Sequence, residues 1–336
     1  MNPGQTHITR WPRDLFLNFC LFLTSIIVAI FTIECAFRFH FQAQHNIPFF
    51  KQTDYRTSDP VLGWAQEFIW GDPQTHKFKI FLVGDSFTEN NCFASPGHHY
   101  YEFLKKKLPE AEIFVFGAGG YGTLQEYLII DRYIDKIRPD LLVLQFCSND
   151  FINNSYVLEN KSFIHNNESK RPYYENGEIV YRYSRGPVLL RELAHYSRIG
   201  YYFCVAFDKA LAVAASAKVF DTIENDIKAQ GLSLADFRES VKTTSTLIGM
   251  IRKRAGSIPL ISFPVWSDEP FFGQAKKIFS DNQVIFLDRI PVIIFEVERK
   301  ARSGRVNGSS HWSDVGHLVC GEYLAEYIRG HFLKNR

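Results

Sequence analysis

The chain has 336 residues and a formal charge of only +2, with 46% hydrophobic and 15% aromatic residues. That length suits one large domain or two, and so balanced a charge gives no case for nucleic-acid binding. The six cysteines lack the spacing of a metal site, so no metal is expected, and no disulfide is assigned.

In chain order, the first element is an apolar stretch over residues 15–33, interrupted only by Asn18, Thr24, Ser25 and Thr32. About 20 such residues at 1.5 Å each cross a bilayer. Glu34-Cys35-Ala36-Phe37-Arg38 follows and offers neither a small-x-small cleavage site nor a good lipoprotein box. An uncleaved anchor is therefore expected. Arg10 and Arg13 precede it and Arg38 follows, which mildly favours a cytoplasmic N-terminus. The remainder then faces outward, which in a bacterium is the periplasm. The division is 1–40 for a cytoplasmic tip and transmembrane anchor, 41–76 for a lead-in, and 77–336 for the main domain.

Short apolar runs at 78–83, 113–116, 141–146, 259–263 and 284–287 read as buried strands. Helical patterns at 98–108, 123–137, 233–254 and 314–328 alternate with them. Such alternation predicts an α/β fold, a parallel sheet with helices on both faces. His98 and His99 read as a solvated helix start. An insertion at about 153–220 breaks the pattern. It contains a hairpin around Asn176-Gly177 and then an apolar helix over 190–218, expected in the core or on a membrane surface.

Chemistry concentrates in four blocks: Gly84-Asp85-Ser86-Phe87-Thr88, residues 116–123 with Gly117, Gly119, Gly120 and Gly122, Cys147-Ser148-Asn149-Asp150, and residues 309–317. Each follows a predicted strand or precedes a helix, where open α/β sheets bind ligands. A serine at such an edge needs a base and oxyanion donors to act as a nucleophile. Asp85 reads as a turn aspartate bonded to its own backbone. Trp312 and Tyr121 flank the blocks, placed to pack or to stack on a sugar.

Read together, the four blocks resemble the SGNH (GDSL-type) hydrolases. The resemblance implies a flavodoxin-like three-layer α/β/α fold, here with an added N-terminal transmembrane helix. It implies Ser86 as nucleophile and His311 as base. The Ser86 N–H, the Gly120 N–H and the Asn149 side-chain amide would form the oxyanion hole. No cofactor is implied. The family places an aspartate three residues before its histidine, and here that residue is Gly308. Asp288, after the run 284–287, is one possible orienting acid. Asp314 is another, since Asp314 and His317 form a literal Asp-x-x-His and make His317 an alternative base.

The expected activity is that of a membrane-anchored serine esterase or O-acyltransferase on ester groups, above all O-acetyl groups of envelope carbohydrate. Its partners are an acylated carbohydrate or small ester and, through the anchor, a membrane. A lysophospholipase or thioesterase uses the same groups on longer acyl chains. A decayed glycan-binding or scaffold protein is the reading from outside enzymology.

Overall fold

The computed structural model describes residues 13–45, 49–50, 57–65, 68–89, 94–162, 170–183, 196–200, 202–203, 206–207, 210, 222–301 and 311–334. The chain divides into two compact units, Met1–Tyr55 with Pro187–Ala210, and Arg56–Gly186 with Leu211–Arg336.

The first unit is built on α1 (Arg13–His45). Its stretch Asp14–His40 is 27 residues long, apolar and unburied. At 1.5 Å per residue that is about 40 Å, more than a hydrocarbon core requires. The polar end of this helix is organised. Glu34 pairs with Arg38 at 2.7 Å and accepts from the Arg198 N–H at 2.8 Å and the Ile199 N–H at 3.0 Å. Arg38 donates to the carbonyls of Phe49 and Tyr196. Most of the helix expected at 190–218 lies outside the described residues.

The second unit opens with a small antiparallel pair, β1 (Thr57–Asp59) and β2 (Gly63–Ala65). Then β3 (Phe78–Gly84), α2 (Tyr100–Lys107), β4 (Ala111–Gly117), α3 (Thr123–Ile137) and β5 (Leu141–Phe146) alternate. The short helices α4 (Asp150–Asn153) and α5 (Tyr156–Lys161) lead to a hairpin of β6 (Lys170–Glu175) and β7 (Glu178–Tyr183). Asn176 and Gly177 both have positive φ at its tip, as the expected Asn-Gly turn requires. After the insertion come α6 (Ile223–Gln230), α7 (Ala235–Ala255), β8 (Leu260–Pro264), α8 (Phe271–Asp281), β9 (Ile285–Phe286), α9 (Ile290–Ala301) and α10 (Asp314–Ile328).

Five strands form one parallel sheet in the order β4-β3-β5-β8-β9. Because side chains alternate along a strand, each strand feeds two cores. Phe81, Val83, Phe114, Phe116, Leu142 and Leu144 pack against α3, α7 and α8. Ile80, Leu82, Ile113, Val115, Leu141 and Val143 pack against α2, α9 and α10. This is the expected parallel α/β sandwich. The order in which strands are added reverses between β3 and β5, so the carboxyl ends of those two parallel strands flank the topological switch point.

Candidate active site

Gly84 and Gly117 are register partners at the carboxyl ends of β3 and β4. A Cβ at Gly84 would collide with the side chains of Gln145 and Thr88, so the turn beyond the strand closes only over a bare backbone. Gln145 Oε1 accepts from the Asp85 N–H at 3.0 Å and from Thr88 Oγ1 at 2.8 Å. Asp85 Oδ1 accepts from the Phe87 N–H at 3.0 Å. Asp85 is thus the turn residue expected. It is fully buried, and burial pushes its carboxyl up to about 6.

This turn lifts Ser86 to the surface. Ser86, Gly120, Ser148 and His311 are half-buried, whereas the residues beside them in the first three turns are almost all buried. Ser86 Oγ lies 2.8 Å from His311 Nε2, across 225 residues of sequence. The His311 ring stacks on Phe87, with centroids 4.6 Å apart. Phe87 is itself wedged against Trp266 and Trp312. On the C-terminal side, Ser313 caps α10 by accepting from the Gly316 N–H, and both its N–H and hydroxyl donate to Glu298 Oε1. Burial pulls His311 down to about 4, so at neutral pH its ring is uncharged and able to accept a proton.

The other sequence candidates sit elsewhere. His317 is buried, accepts from the Tyr100 N–H at Nδ1 and stacks on the Tyr100 ring. Burial, reinforced by neighbouring His99, holds it down near 3. Ser86 therefore meets His311, while His317 serves the packing between α2 and α10. The Asp288 carboxylate takes an ion pair from Lys276 at 2.6 Å. Asp314 Oδ1 accepts from the Ser95 N–H at 3.0 Å. Gly308 lies outside the described residues.

The three oxyanion candidates come from three different strand ends. Among the described residues, neither the Ser86 N–H nor the Gly120 N–H donates a hydrogen bond. Asn149 follows β5 and donates from Nδ2 to Asn153 Oδ1 at 3.0 Å. An amide nitrogen carries two N–H groups, so one remains for a ligand. No group of three or more metal-ligating side chains exists among the described residues.

Of the neighbouring rings, two follow the packing alternative and one departs from expectation. Trp312 and Tyr121 are fully buried, so they pack and present no face to a sugar. His98 is exposed as expected, but His99 is buried and stacks on Tyr101 at 5.1 Å.

A family model described as GDSL-like Lipase/Acylhydrolase matches residues 80–251, just over half the chain. The chain belongs to that family. The GDSL segment matched contains Ser86, Gly120 and Asn149, and His311 lies beyond it. No curated protein matches significantly. Among solved structures, a lipase/acylhydrolase from Enterococcus faecalis is similar, with 14% identity and a TM-score of 0.42 over 75% of this chain and 95% of that one. A catalytic mutant of an acetylxylan esterase from Geobacillus stearothermophilus shows 12% identity and a TM-score of 0.38, over 75% and 92%. Two supporting residues escaped sequence reasoning in this GDSL protein: Phe87, which braces the imidazole, and Gln145, which ties the Asp85 turn to β5. Gln145 does leave a signal, as the one strongly polar residue inside an apolar strand.

Proposed function

We propose that this protein is a membrane-anchored serine esterase in which Ser86 attacks an ester carbonyl. The observation that carries the reading is the 2.8 Å contact between Ser86 Oγ and His311 Nε2 at the switch point of the sheet. Neutral His311 takes the hydroxyl proton as the Oγ–carbon bond forms. The N–H groups of Ser86 and Gly120 and the Asn149 amide hold the resulting oxyanion. On collapse, the alcohol leaves with the proton from His311 and the acyl group stays on Ser86. Water, deprotonated by His311, then releases the acid and frees the serine. A sugar hydroxyl in place of water makes the same protein an O-acyltransferase.

The proposed substrate is an O-acetyl group on envelope carbohydrate. Family membership supports an ester, and α1 supports work beside a membrane, with the second unit outside the cytoplasm. The test uses full-length protein in detergent, with p-nitrophenyl acetate and p-nitrophenyl octanoate. Ser86→Ala and His311→Ala are expected to lower kcat at least about 10³-fold, as loss of a catalytic serine or histidine does elsewhere. Folded His317→Gln should keep most of its activity. A preference for octanoate would move the reading to a lysophospholipase or thioesterase. No turnover and no fluorophosphonate labelling of Ser86 would leave a binding protein.

A further inference from the structure

The inserted hairpin reaches the catalytic edge through one side chain that the proposed reaction does not use. Arg171, on β6, is 1% exposed. Its Nη2 donates to the Gly120 carbonyl at 2.5 Å, and Nη1 donates to Gln125 Oε1 at 2.7 Å. Its Nε forms an ion pair with Glu159 at 2.8 Å. The guanidinium lies over the Trp64 ring, 4.8 Å from its centroid. Trp64, from β2, donates from Nε1 to the Gly119 carbonyl at 3.3 Å. The Tyr121 ring packs on the indole, with centroids 5.5 Å apart, and its hydroxyl donates to the Trp64 main-chain carbonyl.

Consecutive carbonyls of the glycine loop are therefore each gripped from outside it. The consequence follows from peptide geometry. The Gly119 carbonyl and the Gly120 N–H belong to one planar trans unit and point in opposite directions. A donor fixed on the Gly119 oxygen thus aims the Gly120 N–H. Arg171 fixes the next unit, and Gly120 between them adopts φ +78, a left-handed conformation that a free loop holds weakly. The Tyr121 N–H closes the turn on the Ala118 carbonyl at 3.0 Å.

We propose that Arg171, together with the Trp64 ring it covers, is a positioning residue that aims the Gly120 N–H at the oxyanion of the transition state. This rests on the esterase reading above. It also gives the insertion a part in the chemistry, since β6 lies within it.

The test is Arg171→Lys, which keeps a charge facing Glu159 but loses the fork that donates to Gly120 and Gln125 at once. Trp64→Phe is the second variant; it removes the indole donor and keeps a ring under the guanidinium. Both are measured as full-length protein with p-nitrophenyl acetate. Hydrogen–deuterium exchange of residues 117–123 is followed in parallel. We expect kcat to fall about 10-fold to 100-fold with KM within about 3-fold, the cost of a misaimed group. Exchange of the loop should be several-fold faster. A folded Arg171→Lys with wild-type kcat overturns the proposal. So does a fall in activity that appears only as loss of folded protein, with Trp64→Phe unaffected. Wild-type protein without any turnover counts against the esterase reading instead. Exchange alone then decides the brace, which unchanged protection in both variants would refute.

Discussion

At the scale of single residues, environment assigns roles that residue type leaves open. His311 and His317 lie six positions apart in one helix-initiating segment, and burial holds both below the ordinary imidazole value. One touches the serine and the other touches a backbone N–H in the core. His311 titrates near 4, so it is already neutral at pH 6. The expected kcat/KM profile for p-nitrophenyl acetate is flat from about pH 6 upward, with its acid limb centred well below the usual histidine value of about 6.5. A midpoint at or above 6.5 would mean that a carboxylate orients the ring in the working enzyme. Asp85, Ser86 and Asn149 were placed at strand ends by sequence alone. Burial of His99 was not legible, and packing of Trp312 and Tyr121 could not be separated from an exposed stacking role, because a histidine or an aromatic beside a motif looks the same whether it faces water or the core.

Elements were the most legible level. The five strands and the helices α2, α3, α7 and α10 match the apolar runs and periodic stretches read from sequence, with boundaries shifted by a few residues. The short helices α4, α5 and α6 were missed, and so were the longer α8 and α9. The buried side chains of α8 are Phe271, Ala275, Ile278 and Phe279, a helical spacing that short length obscures. Helix α9 begins with the run Ile290-Pro291-Val292-Ile293-Ile294, whose β-branched content resembles a strand. The apolar N-terminal helix, proposed above as a membrane anchor, belongs to this scale too. Helix α1 exposes Leu21, Phe22, Ile27 and Phe31 by more than 60% each, surface that water would not tolerate in such density. Full-length protein should stay in the membrane pellet through alkaline carbonate extraction, and a variant lacking residues 1–45 should move to the supernatant. Release of the full-length chain by salt alone, or recovery of a chain cleaved near residue 38, would remove the anchor.

For the whole molecule, the cost of placing a site at a switch point is visible beneath it. Glu126 on α3 and Asp150 on α4 are fully buried, and burial followed by neighbouring carboxylate charge holds both well above the ordinary carboxyl range. Among the described residues neither Glu126 oxygen has a hydrogen-bond partner. A carboxyl raised in the folded state contributes stability below its unfolded pKa of about 4.5, and that stability is lost as pH rises toward the folded value. Replacement by the neutral isostere should therefore help more at higher pH. Relative to wild type, Glu126→Gln is expected to gain up to about 1.4 kcal/mol per pH unit above 4.5, read from urea unfolding at pH 5, 7 and 8.5. His311 and His317 act in the opposite direction, since their stabilising neutrality is lost as pH falls below about 6.5, but they are common to both proteins and cancel. A gain independent of pH would show that Glu126 is ionised in the fold. By itself the sequence determined the alternation of strands and helices, the four motif blocks and the long apolar N-terminal helix, because these depend on local periodicity and on residues close in the chain. Tertiary structure decided which histidine meets Ser86, which carboxylates are engaged elsewhere, and that Arg171 of the insertion grips the glycine loop. The serine–histidine contact and the Arg171 contacts join residues from 46 to 225 positions apart, and no local pattern encodes which distant side chain will fill a given space.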